Sequence, residues 1–113
     1  MLFRSLNPRQ AEAWNALGYA LAAAGRWTDA ESCFQTALQL RPDFTSARTY
    51  LGIAYLEMHR WTEAVAAFET VLRAEPGNAG IHSNLAIALR QLGRADEAAQ
   101  HEARSRELRA APR

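Results

Sequence analysis

The stretch "GRWTDAESCF" occupies Gly25–Phe34, and a close copy, "HRWTEAVAAF", occupies His59–Phe68. Trp27 and Trp61 stand 34 residues apart, each between an arginine and a threonine. The same offset of 34 joins Leu17 to Leu51, Gly18 to Gly52, Ala30 to Ala64, Phe34 to Phe68 and Pro42 to Pro76. A third copy begins at "GRADEA", Gly93–Ala98, where Arg94 and Ala98 continue the frame of Arg60 and Ala64. A fixed period of this size is the mark of an architecture in which one small structural unit is stacked on the next.

Each unit reads as two helices. In "AEAWNALGYALAAAG", Ala11–Gly25, strong helix formers run up to a glycine that can take the left-handed conformation ending a helix. Thr28 and Glu31 then have the spacing of a capping box for a second helix. That helix stops at Arg41, because Pro42 lacks an N–H and disfavours helical geometry before it. The same logic predicts helices over Pro8–Ala24, Thr28–Arg41, Asp43–Met58, Thr62–Ala74, Asn78–Leu92 and Ala95–Arg109. Leu17, Ala30, Phe34, Leu51, Ala64, Phe68, Leu85 and Ala98 are the expected core. Gly18 and Gly52 sit mid-helix, where glycine costs about 1 kcal/mol relative to alanine. Close approach of the second helix, with Ala30 and Ala64 opposite, is the expected compensation.

These positions carry a resemblance to the tetratricopeptide repeat (TPR) family, whose signature is W-x2-L-G-x2-Y, then A-x3-F, then P. Unit one supplies Trp14, Leu17, Gly18, Leu21, Ala30, Phe34, Ala37 and Pro42. Unit two supplies Arg48, Leu51, Gly52, Tyr55, Ala64, Phe68, Val71 and Pro76. Unit three supplies His82, Leu85, Ala86, Leu89, Gly93 and Ala98. The resemblance implies an all-α, right-handed superhelical stack of helix-turn-helix pairs with units at 11–44, 45–78 and 79–112. Residues 1–10 read as the stub of a preceding repeat helix or an N-terminal cap, since Leu6 and Pro8 stand 34 before Leu40 and Pro42. In unit three Glu102 replaces the phenylalanine, so the last helix is expected to act as a polar cap. Glu102 is expected to reach solvent, or else to pair with Arg90 or Arg106. The tryptophans are expected to pack at the turns between helices.

Composition narrows the function. The 113 residues carry a net charge of +1, which gives no field to attract nucleic acid or an anionic membrane. No apolar run approaches the roughly 18 residues of a membrane span. All 13 basic residues are arginine, which with the abundant alanine points to a GC-rich bacterial genome. The start, "MLFRSLNP", lacks a secretory apolar stretch, so a cytoplasmic protein is expected, although a form already trimmed of a signal reads the same way. The single cysteine, Cys33, lies beside Phe34 and reads as a small buried hydrophobe. His59, His82 and His101 share no helix at metal-binding spacing, and His59 takes the place of a turn glycine. No constellation supports catalysis, a metal or a cofactor, and no enzyme is expected.

The resemblance places function on the concave face, which the first helix of each unit lines. There the fifth places of the units form a polar row, Asn15, Thr49 and Ser83, and the ninth places an apolar row, Tyr19, Ile53 and Ile87. Leu56 and Arg90 complete the candidate peptide-binding groove, together with Glu12, Ala22, Ala23, Ser46, Glu57, Gly80 and Gln91 around it. Some members of the family grip acidic chaperone tails with lysine, asparagine and arginine at the fifth and ninth places. Tyr19, Thr49, Ile53, Ser83 and Ile87 do not make that clamp. The apolar row reads either as packing between helices or as a strip for a partner peptide. The functional expectation is a non-catalytic module that binds a protein or peptide. The alternatives are self-association through the N-terminal face, or a piece of a longer array or multidomain enzyme.

Overall fold

Three turns built to one plan set the architecture of the computed structural model, which describes residues 8–112. Gly25, His59 and Gly93 hold φ of 79°, 61° and 79°, the left-handed region. In the first turn the Gly25 N–H donates to the Ala22 carbonyl at 2.9 Å and the Arg26 N–H to the Leu21 carbonyl at 2.8 Å. This is a Schellman ending, and it recurs at His59–Arg60 and Gly93–Arg94. The arginine then opens the next helix, its carbonyl accepting from Ala30, Ala64 or Ala98 in turn. Its side chain meets an acid three residues on: Arg26–Asp29 at 2.6 Å, Arg60–Glu63 at 2.6 Å and Arg94–Glu97 at 2.7 Å. Those acids lie in the first helical turn, where the helix dipole favours negative charge.

This replaces the expected capping box. The second helix begins at Trp27, its N-cap is Arg26 and no side chain caps it. The Thr28 hydroxyl instead lies 3.9 Å from Met58 Sδ. Once the Schellman turn had fixed Arg26 as the joint, the threonine fell inside the helix.

Six helices result: α1 Pro8–Ala23, α2 Trp27–Leu40, α3 Thr45–Glu57, α4 Trp61–Ala74, α5 Ala79–Gln91 and α6 Ala95–Ala110. The described residues contain no strand. Each expected helix is present, with bounds within two residues at either end. Asn78 caps α5 by accepting the Ile81 N–H at 3.2 Å. Residues 1–7, where most of the expected stub falls, lie outside the described residues, and Pro8, Arg9 and Gln10 are the first residues of α1.

The core is two linked clusters. Ala30, Phe34, Ala37 and Leu38 of α2 pack with Ala47 and Leu51 of α3. Ala64, Val65, Phe68 and Val71 of α4 pack with Ile81, Leu85, Ala86, Ala88 and Leu89 of α5 and Ala98 of α6. Tyr55 packs against both. The mid-helix glycines serve the phenylalanines rather than the small alanines: a Cβ on Gly18 lies 2.6 Å from Phe34 Cε1, and one on Gly52 lies 2.6 Å from Phe68 Cε1. In unit three the phenylalanine is gone and the glycine is Ala86.

Leu17 departs from expectation. It is 47% exposed, whereas Leu51 is 6% and Leu85 0% exposed. Leu51 is covered by α2 and Leu85 by α4, each from the preceding unit. Among the described residues no preceding unit covers Leu17. Trp27 and Trp61 are half-buried at the starts of α2 and α4, and Trp61 stacks on the His59 ring at 4.9 Å. Glu102 is half-exposed and pairs with Arg90 at 2.6 Å, so both expected outcomes hold together.

Candidate functional site

The first helix of each unit touches the next: α1 contacts α3, and α3 contacts α5. Among the described residues no Cα of α2 comes within 8 Å of one in α4, nor one of α4 of one in α6. First helices crowding together while second helices fan apart make the first-helix side concave. The described residues include no helix long and apolar enough to cross a membrane.

Tyr19 of α1 and Tyr50 of α3 meet on this side, ring centroids 5.2 Å apart and tilted by 56°. Tyr50 also stacks on Phe34, at 5.8 Å and 26°, and Phe34 is fully buried. One wall of the contact is therefore fixed to the core, while Tyr19 is 56% exposed. Such a pair presents a large apolar face at little cost in side-chain entropy, because each ring turns about only two side-chain torsions.

Two cavities flank the pair and share both tyrosines. One, of about 320 Å³, is lined by Glu12, Asn15, Ala16, Tyr19, Phe44, Ser46 and Tyr50. The other, of about 230 Å³, is lined by Tyr19, Ala22, Ala23, Trp27, Tyr50 and Ile53. These volumes sit at or below the small end of ligand pockets and suit side chains rather than a cofactor. Their only ionised side chain is Glu12, whose carboxylate lies 3.8 Å from the Arg41 guanidinium. The Arg41 guanidinium also covers the Phe44 ring at 4.3 Å. Asn15 donates from Nδ2 to Ser46 Oγ at 3.3 Å, and its Oδ1 is buried without a protein donor.

Of the candidate groove residues, Asn15, Tyr19 and Ile53 come together here. Thr49 is half-buried on α3, and Leu56 packs against the larger core cluster. Ile87 is 48% exposed on α5, away from both cavities. Ser83 and Arg90 are engaged by α6, through Ser105 at 2.7 Å and Glu102 at 2.6 Å. Sequence reasoning missed Tyr50, Trp27 and Phe44. Tyr50 carries a usable signal: the period places it opposite Ala16 and Asn84, so its bulk fills space that the other units leave open. Cys33 is buried and its thiol is pushed up in pKa by burial, then by Asp29, which disfavours the thiolate.

Residues 49–113 match the tetratricopeptide repeat family, and residues 11–44 match it separately. No curated protein matches the chain. Among solved structures, a crystal structure of MamA is similar at 26% identity and a TM-score of 0.84, covering 92% of this chain and 61% of that one. This chain thus spans about three fifths of that structure. A MamA mutant is similar at 27% identity and a TM-score of 0.84, covering 95% and 80%. The second TPR of Spaghetti (RPAP3), bound to the HSP90 peptide SRMEEVD, is similar at a TM-score of 0.85, covering 90% and 94%; at 19% identity it shares the fold alone.

Proposed function

Since the chain belongs to the tetratricopeptide repeat family, we propose that it is a non-catalytic protein-interaction module whose concave face seats a partner peptide between α1 and α3. The observation that carries this reading is the Tyr19–Tyr50 pair with a side-chain-sized cavity on either side. Exposed aromatic side chains that a partner covers are among the residues that dominate binding energy at protein interfaces. Tyr19, Trp27 and Ile53 take an apolar side chain of the partner, and Asn15 stands at the polar end. Thr49, Leu56, Ser83, Ile87 and Arg90 lie on or beyond the margins of this seat. The three units are 11–44, 45–78 and 79–112.

The partner is apolar rather than acidic. Among the described residues, the cations beside the groove are paired: Arg41 is shared between Glu12, Asp43 and the Phe44 ring, and Arg90 is paired with Glu102. An acidic peptide such as the one held by the Spaghetti domain finds no complementary charge here. The net charge of +1 likewise favours neither nucleic acid nor an anionic membrane as partner.

The test is a peptide array of apolar and acidic sequences, followed by titration on tryptophan fluorescence. Apolar peptides are expected to bind, and Ile53→Arg to weaken them at least tenfold. Binding that survives charges placed at both Tyr19 and Ile53 puts the site elsewhere. A second reading, self-association through the N-terminal face, is favoured by Trp14 and Leu17, exposed together on α1. Light scattering that finds a strict monomer at high concentration removes it.

A further inference from the structure

We propose that the contact between His82 and His101 is an acid-sensitive latch, which holds α6 on α5 at neutral pH and lets it go as the pH falls below the ordinary histidine range. His82 lies on α5 and is 8% exposed. Its Nε2 is 2.9 Å from the Pro76 carbonyl oxygen, and its Nδ1 is 2.8 Å from Nδ1 of His101 on α6. The rings lie 5.1 Å apart with 27° between their planes.

The hydrogen bonds fix both tautomers. A carbonyl only accepts, so His82 Nε2 carries the hydrogen and, in the neutral ring, His82 Nδ1 is bare. The second contact then needs its hydrogen from His101 Nδ1. Neutral His101 is left with a bare Nε2. A first proton goes to His101 Nε2 and leaves one N–H between the rings, so it spares the bond, but burial, then the nearness of His82, hold the His101 pKa below its usual value. A second proton can go only to His82 Nδ1, and two N–H groups then face each other across 2.8 Å, which ends the bond. The charges facing the pair are Glu69 on α4 and Glu97 on α6, and both pull the other way without reversing the shift. In the turn before α5, Glu75 is occupied by the Asn78 side chain at 3.0 Å.

The closed pair therefore takes up fewer protons than two free histidines. A group whose pKa is depressed in the closed state adds stability that is complete above its free value, about 6.5, and is lost as the pH falls beneath it. The loss is local because α6 is held lightly. It buries only Ala98 and Ser105, whereas α4 buries Ala64, Val65, Ala67, Phe68 and Val71. Its other ties to α5 are polar, Ser83–Ser105 and Arg90–Glu102. Release withdraws Ala98 from the cluster that contains Leu85 and Leu89, and so bares apolar surface on α5.

Amide hydrogen exchange of the full chain at pH 7.5 and pH 5.0, corrected for the pH dependence of the exchange chemistry, tests this. Opening of α6 is expected to increase at pH 5.0, by up to about thirtyfold for each proton the closed pair withholds, with α3 and α4 unchanged. His101→Asn keeps an amide donor near the Nδ1 position and does not titrate, so its α6 is expected to lose the pH response. Should that variant loosen α6 at pH 7.5, nitrogen chemical shifts of the wild-type imidazoles decide the matter. The proposal requires hydrogen on Nε2 of His82 and Nδ1 of His101 at pH 7.5, and loss of that pattern together with α6 opening. Protection of α6 that ignores pH, an equal fall in a folded His101→Asn protein, or tautomers unchanged while α6 opens would each overturn it.

Discussion

Adding one methyl group at Gly52 puts the packing account to a sharp test. A Cβ there lies 2.6 Å from Phe68 Cε1, 2.9 Å from Cδ1 and 3.0 Å from Cζ. Carbon atoms rest at about 3.5–4.0 Å, so the ring must move by roughly 1 Å. Phe68 is fully buried among α4 and α5 side chains, so any shift of its ring is made against packed neighbours. Overpacking of this kind costs about 1–3 kcal/mol. Alanine in place of glycine returns about 1 kcal/mol of helix propensity. Gly52→Ala is therefore expected to destabilise by about 1 kcal/mol net, lowering the melting temperature by roughly 4 °C. Urea unfolding of wild type, Gly52→Ala, Phe68→Leu and the double variant isolates the contact, since the leucine vacates the ring's place. A coupling of at least about 0.5 kcal/mol is expected. Gly77→Ala serves as the control, because its Cβ meets nothing nearer than Leu108 Cδ2 at 4.0 Å. A Gly52→Ala protein as stable as wild type or more so, with no coupling to Phe68, refutes the reasoning.

Further outcomes follow from the same contacts. Glu102→Phe alone is not expected to stabilise, because the Ala86 methyl occupies the space the ring needs; Ala86→Gly with Glu102→Phe is expected to melt above either single variant. Arg60→Ala removes bonds to Glu31 at 2.7 Å and Glu63 at 2.6 Å, but the pairs are partly exposed and screened by solvent, so urea unfolding is expected to show only a small loss of stability; a large drop contradicts this. The hydrogen bond from Arg94 holds the Glu97 carboxyl below its ordinary value of 4.5. Its contribution is thus present above that value and lost as the pH falls through the lower one, which carboxyl chemical shifts in a pH titration check; a Glu97 that titrates at or above 4.5 contradicts it.

The fold was legible because each device that builds it recurs at the same offset. Gly25, His59 and Gly93 mark the turns, and Phe34 and Phe68 mark the core. What stayed hidden lay between elements rather than within them. Leu17 has the same sequence neighbourhood as Leu51, and only the preceding unit's second helix separates their fates. Thr28 has capping-box spacing, but the backbone bonds of the turn behind it had already assigned the cap to Arg26. At the candidate site Tyr19 and Ile53 were found from their places in the repeat. Tyr50 was not, because it reaches the groove from a place that in the other units holds Ala16 and Asn84, and Trp27 was not, because its place at the turn marked it as packing between helices. His82 and His101 are 19 residues apart on different helices, so no helical spacing announces their contact.

The groove itself is tested most directly by mapping a bound peptide onto the backbone. Amide chemical shifts of the full chain, followed during titration with an apolar peptide from the array, are expected to move most at Asn15, Tyr19, Trp27, Tyr50 and Ile53. Shifts that leave these residues still and gather on the outer faces of α2, α4 or α6 would contradict the concave site.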